Sequence, residues 1–346
     1  MPQNYLIATI RKEKLFHACR AATTNPCNFA GLMKRALLYM HTAVLLWGFT
    51  GVLGRAISLD FAVLVWWRMF LTAILVALII TGRRNWRKVA PADVLRLTFI
   101  GCLIGIHWVA FYGAIKFANA SIALICLSTA SVFTALLDPL VNKGKFVASE
   151  LLLGLLAIGG VYLIYHGALD MSTGVFLGVI AAILSAIFTV LNKKIAHKYP
   201  ARVMVFYEMT AGWLLISVLL GVVLAAGAEQ WLISPQNPAG RLIFWPSLED
   251  WFWLLVLALC CTVWAQSLAL SALKQLSSFT VTLSVNLEPV YGIALAFLFY
   301  QEQKDLHASF YWGMGLIILS VAFQMLRLLR PKMSPGMIQE KGGLGE

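Results

Sequence analysis

Charged residues are scarce in this chain of 346 residues. They make up 12% of the sequence, whereas soluble globular domains carry about a quarter. Apolar residues make up 60%, and the mean hydropathy is +0.82. A chain with so little polar material cannot cover a water-facing exterior, so its outside must face lipid. The composition therefore excludes the pair of soluble domains that the length alone would suggest.

The patterns typical of metal, disulfide and nucleotide sites are also lacking. The six cysteines include no CxxC pair, so we expect neither disulfides nor a structural metal, and no cofactor. No GxxxxGK[ST] phosphate loop, HExxH or GxSxG occurs, so we expect no ATP-driven step and no enzyme. The net charge of +12 lies in short loops and forms no patch, so nucleic acid is not an expected partner.

Ten apolar runs fill most of the chain, and each approaches the roughly twenty residues that a helix needs to cross a bilayer. The runs are 37–57, 61–81, 96–116, 120–141, 150–167, 173–192, 203–225, 251–272, 278–300 and 309–329. The expected fold is an all-α membrane protein with ten transmembrane helices. The single long connection, Ala226–Asp250, is predicted to be an extended loop or interfacial strip.

The distribution of Lys and Arg sets the expected orientation. If the N-terminus is cytoplasmic, 22 of the 27 Lys and Arg residues fall on the cytoplasmic side, as the positive-inside rule requires. We expect a multi-pass protein of the bacterial cytoplasmic membrane with both termini inside. Residues 1–33 show no signal-peptide pattern and are expected to be a disordered extension, and 331–346 a disordered tail.

Similar segments occur at matching places in the two halves. Residues 63–69 match 203–209, and 114–121 resemble 272–279. The chain is therefore predicted to contain two five-helix repeats, 34–170 and 171–330. Because five is odd, the repeats are inverted relative to each other. Inverted repeats are typical of secondary transporters, whose substrate sites lie near the midplane between the halves.

Several local sequences make the resemblance specific. They are Trp47-Gly48, Arg68, the run 112–121, Glu150 with Gly154, the run 286–290 and Glu302. Over residues 34–330 the chain resembles an EamA-type permease of the drug/metabolite transporter superfamily. The resemblance implies a ten-helix inverted-repeat carrier that exports amino acids or other small metabolites. The expected partners are a small-molecule substrate and the lipid bilayer, with a second copy of the chain as a further candidate.

Glu288 is the leading candidate for function because it lies near the membrane midplane, where a carboxyl group is costly. Pro289 follows it and removes a backbone hydrogen bond, which predicts a kinked or broken helix of the kind that transporters use to build sites. The hypothesis is a substrate-binding or proton-carrying group. The alternative is a protonated carboxyl that packs against a neighbouring helix.

Arg68 is the second charged candidate. It could be the counter-ion of a substrate carboxylate or of Glu288, or it could extend its long stem to the outer headgroups. Its repeat mate Glu208 is expected to pair with Lys198 or Arg202 and to have a structural role.

Aromatic and amide side chains complete the predicted site. Together they could form a box for an amphipathic or zwitterionic solute, since aromatic faces attract cations. The residues are Trp47, His107, Trp108, Tyr112, Trp264, Gln266, Asn286 and Tyr291. The alternative is ordinary helix packing, and a lone buried His107 is usually neutral.

The function predicted from the sequence is a secondary transporter that works by alternating access. Two rivals stay open: an intramembrane enzyme acting on a lipid-linked substrate, and a non-catalytic partner of another membrane protein. A polar cluster at one interface, open sideways to lipid, would favour the enzyme. A central cavity between the repeats would favour the carrier.

Overall fold

The computed structural model describes residues 26–84, 86–118, 120–143, 146–165, 172–235, 237, 239–300 and 308–329. These residues are helical apart from their connections and form no strands. The helices are α1 (Pro26–Ala56), α2 (Phe61–Gly82), α3 (Pro91–Phe117), α4a (Ala120–Ser128), α4b (Ala130–Asn142), α5 (Ala148–Tyr165), α6 (Ser172–Ile195), α7 (Ala201–Ala225), α8 (Leu248–Leu273), α9a (Ser278–Val285), α9b (Glu288–Tyr300) and α10 (Ala308–Leu329).

The helices coincide with the ten predicted spans, but several begin earlier. Helix α1 begins at Pro26 rather than at residue 37, so the end of the expected disordered extension is helical. Residues 1–25 and the predicted tail lie outside the described residues. Proline is well suited to the first position of a helix, because the missing N–H would have no partner there. Both Pro26 and Pro91 begin helices in this way.

Among the described residues, six helices are long and apolar enough to cross a membrane: α1, α2, α3, α6, α7 and α8. Large apolar side chains cover the outside of the bundle, and Leu78, Leu140 and Leu298 are 64%, 77% and 74% exposed. Such an exterior suits lipid, so the chain is a multi-pass membrane protein. The total of ten crossings remains a prediction, since α4 and α9 are broken into shorter pieces.

Three helices depart from regular α geometry, and two of the departures border the centre of the bundle. Helix α9 is broken at Asn286 and Leu287, just before Pro289, as the sequence predicts. The six residues Leu259–Trp264 of α8 form a π-helical segment. Helix α4 is interrupted at Thr129.

The packing is symmetric when α1–α5 is exchanged with α6–α10. Helix α3 packs against α6, and its counterpart α8 packs against α1. Helix α4 packs against α6, and its counterpart α9 packs against α1. Helix α2 packs against its own counterpart α7, and α5 packs against its counterpart α10, so the exchange leaves these two interfaces unchanged. The two halves therefore use the same set of interfaces, as expected for structural repeats.

Glycine allows the closest approach between the halves. A Cβ atom added to Gly48 of α1 would lie 2.7 Å from the Tyr291 Cβ atom of α9b. A Cβ atom on Gly101 of α3 would collide with the Glu208 backbone of α7. These glycines let the helix backbones touch, which small residues commonly do in membrane bundles.

Two carboxylates fasten the long connection between α7 and α8 to the first half. Asp60 accepts hydrogen bonds from the Ser234 and Ile243 amides and from Asn237 Nδ2, at 2.9 to 3.1 Å. Asp250 accepts from the amide and hydroxyl of Ser58 at 2.7 and 2.6 Å. The predicted extended loop is thus irregular, with a short 3₁₀ turn at Glu229–Trp231, and is bound to the α1–α2 turn.

Candidate functional site

A cavity lies between the two halves and takes side chains from both. Its volume is about 90 Å³, which leaves room for several water molecules or a compact solute. The polar and aromatic lining residues are Trp47, Thr50, Arg68, His107, Trp108, Phe111, Ser185, Phe188, Thr189, Asn192, Gln266, Thr282 and Glu288. Six of the ten site residues expected from the sequence therefore lie at one cavity: Trp47, Arg68, His107, Trp108, Gln266 and Glu288.

Arg68 is buried at this cavity, with 2% of its surface exposed. Its Nε donates to Thr262 Oγ1 at 2.9 Å, its Nη1 to the Tyr112 hydroxyl at 2.8 Å, and its Nη2 to the Cys261 carbonyl at 3.3 Å. The guanidinium also lies over the Trp108 ring. These contacts rule out the alternative in which Arg68 extends to the headgroups.

No carboxylate among the described residues forms an ion pair with Arg68. All three of its hydrogen-bond acceptors are neutral. A buried charge without a charged partner is costly, even when it is hydrogen-bonded. An ion pair with Glu288, one of the two counter-ion roles considered for Arg68, is absent among the described residues. Arg68 is therefore a fixed positive charge available to an anionic group.

The π-helical segment of α8 supplies two of the Arg68 acceptors. Thr262 accepts from Arg68 and donates its own proton to the Leu257 carbonyl, five residues earlier, at 3.0 Å. The wider turn also leaves the Cys261 carbonyl within reach of Nη2. Single π-helical turns frequently mark functional sites, and this one holds the Arg68 guanidinium in position.

Glu288 is the first residue of α9b and is 4% exposed. Its Oε1 lies 3.3 Å from Thr50 Oγ1, whose single proton has the Trp47 carbonyl as a closer acceptor at 2.6 Å. The break at Asn286 and Leu287 places the carboxyl at the amino end of α9b. The positive end of the helix dipole stabilises a carboxylate there. The kinked helix that Pro289 predicts therefore positions an acid at the cavity.

His107 is held by a backbone carbonyl. Its Nδ1 lies 2.7 Å from the Ala181 carbonyl oxygen. A carbonyl can only accept, so Nδ1 carries the proton and Nε2 is the acceptor in the neutral ring. This geometry fits the alternative of a satisfied buried histidine.

Four expected site residues do not line the cavity, and Trp264 contradicts the prediction most clearly. Its side chain is 52% exposed on the outside of the bundle. Residues two apart on a helix point about 200° apart, so Gln266 and Trp264 cannot both face the cavity. Tyr112 is buried behind Arg68. Tyr291 is half-buried against Gly48. Asn286 is buried, with its Nδ2 3.5 Å from Ser131 Oγ.

Glu208 does not form the expected pair with Lys198 or Arg202. Lys198 instead pairs with Asp93 at 3.2 Å. Glu208 is fully buried, and neither carboxyl oxygen has a hydrogen-bond partner among the described residues. The Asn192 side chain of the cavity wall lies near its carboxyl group. The prediction failed because Lys198 and Arg202, ten and six positions before Glu208, lie at different angles and depths from it.

The sequence analysis missed the polar face of α6. Ser185, Thr189 and Asn192 recur at spacings of four and three, which place them on one helix face. All three are buried at the cavity. Thr50 was missed too, although it lies one turn from Trp47. A search for helical periodicity among small polar residues could have found both.

The cavity extends from Arg68 and Glu288 toward one end of the bundle only. It reaches Asn192, Leu273 and Val281, which lie near the ends of α6, α8 and α9a. Lys193 lies at this end and donates to the Leu273 and Leu276 carbonyls. The opposite end holds Asp60, Asp250 and the loop that they bind. The cavity therefore lies nearer to the end that carries Lys193 than to the end where Asp60 and Asp250 bind the loop.

Known proteins resemble the chain in sequence and in fold. The model of the EamA-like transporter family matches twice, over residues 34–166 and 172–326. A protein of Archaeoglobus fulgidus described as an uncharacterized transporter is 27% identical over 264 residues, covering 74% of this chain and 83% of that protein. The chain also superposes on the crystal structure of another protein with a TM-score of 0.64 at 16% sequence identity. The match covers 85% of this chain and 98% of the other.

Proposed function

This chain belongs to the EamA-like transporter family, and we propose that it is a secondary carrier that exports an amino acid or a similar small zwitterionic metabolite. The family and the transporter relative identify a membrane transporter of small molecules. The substrate class and the direction are our proposal. The observation that carries it is the buried, unpaired Arg68 facing Glu288 across one cavity.

The two charged groups suit the two ends of a zwitterion. Arg68 has five N–H groups, of which three are used within the protein. Its remaining N–H groups can bind a substrate carboxylate. One oxygen of Glu288 lies 3.3 Å from the Thr50 hydroxyl, and its second oxygen can accept from a substrate ammonium. The half-buried face of Trp47 adds a surface that attracts cations.

Alternating access is supported by the symmetric packing of the two halves. In an inverted repeat, exchanging the conformations of the halves moves the opening from one side of the membrane to the other. The positive-inside rule assigns the end with Lys193 and Lys274 to the cytoplasm. On this assignment the cavity extends toward the cytoplasmic end, the side from which an exporter loads.

The rival enzyme would need its polar residues at one interface, open sideways to lipid. The polar residues described here instead converge on a central cavity between the halves, and this placement favours the carrier. A non-catalytic partner protein would not need such a cavity.

We propose that Glu288 exchanges a proton for substrate during the cycle.

The test is flux of labelled solutes into liposomes that contain the full chain. The panel contains each amino acid, the amine formed by removing its carboxylate, and the acid formed by removing its amino group. Flux of each solute is measured with and without a pH gradient. We expect saturable flux of a zwitterion that the gradient accelerates in the wild type but not in Glu288→Gln. Glu249→Gln, an exposed acid at the start of α8, is the matched control.

Other outcomes separate the parts of the proposal. Flux that is independent of the gradient would leave a facilitator and remove the proton-carrying role of Glu288. Preference for the amine or the acid over the zwitterion would contradict the substrate class. Absence of flux for every solute, from protein shown to be folded, would overturn the proposed carrier.

A further inference from the structure

A second cavity lies on the outside of the bundle, between α3 and α6, at the end that carries Lys193 and Lys274. We name it the α3–α6 groove. Its volume is about 380 Å³, and its lining residues are Arg96, Phe99, Ile100, Leu191, Lys194, Ile195 and Lys198. Three of these are cationic and four are apolar. None of them lines the central cavity.

The groove is positively charged and partly prearranged. Arg96 and Lys198 both bind Asp93, at 2.8 and 3.2 Å, and their side chains remain 63% and 49% exposed. Tyr199 donates a further hydrogen bond to Asp93 at 2.9 Å. Asp93 cancels one of the three positive charges and holds its two partners near each other. The groove therefore keeps an excess of two positive charges.

Lys194 is the cation that is free for a ligand. It lies in the last turn of α6 and is exposed. Its ammonium has no ion pair or side-chain hydrogen bond among the residues that the structure describes. An unpaired cation beside two others at a cavity edge favours an anionic ligand.

The apolar lining indicates which anion fits. Ile100 and Ile195 are buried at the base, whereas Phe99 is 56% exposed on the lipid-facing side of α3. Leu95, one turn before Phe99, is 71% exposed. An acyl chain can lie along this surface while its phosphate reaches the three cations. Basic pockets between membrane helices commonly bind anionic headgroups in this way.

We propose that the α3–α6 groove is a binding site for an anionic phospholipid, whose phosphate binds Lys194, Arg96 and Lys198 and whose acyl chain lies against Phe99. The site is separate from the transport cavity, and the proposal does not depend on the substrate or on the direction of flux. A free phosphate ion would share the cations but would make no use of the apolar wall.

The experiment uses the purified full chain in a neutral detergent. Its thermal midpoint is followed during titration with phosphatidylglycerol, with phosphatidylcholine and with inorganic phosphate. Native mass spectrometry counts the lipid that stays bound. The variants are Lys194→Gln, Arg96→Gln and Phe99→Ala. Lys88→Gln removes an equal charge from an exposed position outside the groove and is the matched control.

We expect one phosphatidylglycerol to remain bound and to raise the midpoint at lower concentration than phosphatidylcholine. Losing one cation should raise the half-saturating concentration about fivefold, because each basic residue contributes about 1 kcal/mol to the attraction. Phe99→Ala should weaken the lipid effect and leave any phosphate effect unchanged. Lys88→Gln should behave like the wild type.

Three results would overturn the site. If Lys88→Gln weakens binding as much as Lys194→Gln does, the attraction is diffuse. If inorganic phosphate acts at the same concentration as the lipid, the groove binds a free ion. If both lipids act equally, the cations do not select the ligand. All substituted side chains are largely exposed, so size-exclusion profiles should match the wild type.

Discussion

The Cζ atom of Arg68 lies 3.9 Å from the centroid of the Trp108 ring. This is close contact between a cation and an aromatic face, and it comes from two helices of the same half, α2 and α3. The ring covers one side of the guanidinium, while Thr262 and Tyr112 hold its edge. The charge is thus fixed in position without being neutralised, which keeps it available to a ligand.

Replacing Arg68 by Gln should weaken binding of the substrate carboxylate. Hydrogen bonds to charged groups contribute about 1.5–3 kcal/mol, so KM for a zwitterion should rise about tenfold to a hundredfold. The decarboxylated amine should be affected far less. Flux in liposomes measures KM for the zwitterion and KM for the amine, and the exposed Arg87→Gln is the control. An equal loss for the amine and the zwitterion would contradict the assigned role.

The π-helical segment can be tested at Thr262. Thr262→Val keeps the shape of the side chain but removes the acceptor for Arg68 Nε and the donor to the Leu257 carbonyl. A buried donor without its partner costs about 1–3 kcal/mol, and a charged donor costs more, so the thermal midpoint should fall and KM should rise. Thr262→Ser keeps the hydroxyl and should restore the thermal midpoint and KM to their wild-type values. Failure of Ser to rescue would show that the methyl packing matters instead.

The close contact between α1 and α9b predicts a steric effect. A methyl group at Gly48 would lie 2.7 Å from Tyr291 Cβ and 3.2 Å from the Gly292 nitrogen. Gly48→Ala should therefore destabilise the protein by about 1–3 kcal/mol, as overpacking does. Gly221→Ala is the control, because nothing lies within 4 Å of its added methyl. Thermal unfolding in detergent compares the two, and equal midpoints would refute the contact.

The attachment of the long connection to the α1–α2 turn, which we call the clamp, should depend on Asp60. Asp60→Ala removes the acceptor of three hydrogen bonds from the long connection. Amides near Ser234 and Ile243 should then exchange hydrogen at least about tenfold faster, given the strength of bonds to a carboxylate. Hydrogen–deuterium exchange on peptides of 226–247 measures this. The exposed Glu229→Ala should leave exchange unchanged, and unaltered rates in Asp60→Ala would refute the clamp.

Much of the fold could be predicted because apolar run length and proline placement act locally. The ten runs coincide with the described helices, and Pro289 marks the break in α9. Arg68 and Glu288 were found because a charged residue inside an apolar run is conspicuous in any sequence. Their proximity to one cavity follows from long-range packing.

The remaining features depend on helix rotation and backbone detail. The π-helical turn of α8 has no sequence signature, so Thr262 and the Cys261 carbonyl could not be assigned to Arg68. Trp264 was misplaced because aromatic character says nothing about which face of a helix looks inward. The missing partner of Glu208 depends on how α7 packs against α3, which only the folded chain defines.

The long connection between α7 and α8 has a consequence for energy balance. The halves share one set of helix interfaces, but only the second half carries this loop, and Asp60 and Asp250 fasten it across one end. In the alternating-access carrier that we propose, the loop makes unequal two conformations that symmetry alone would make equal in free energy. The resting population of such a carrier can be set by a few loop hydrogen bonds, at a distance from the residues that bind its cargo.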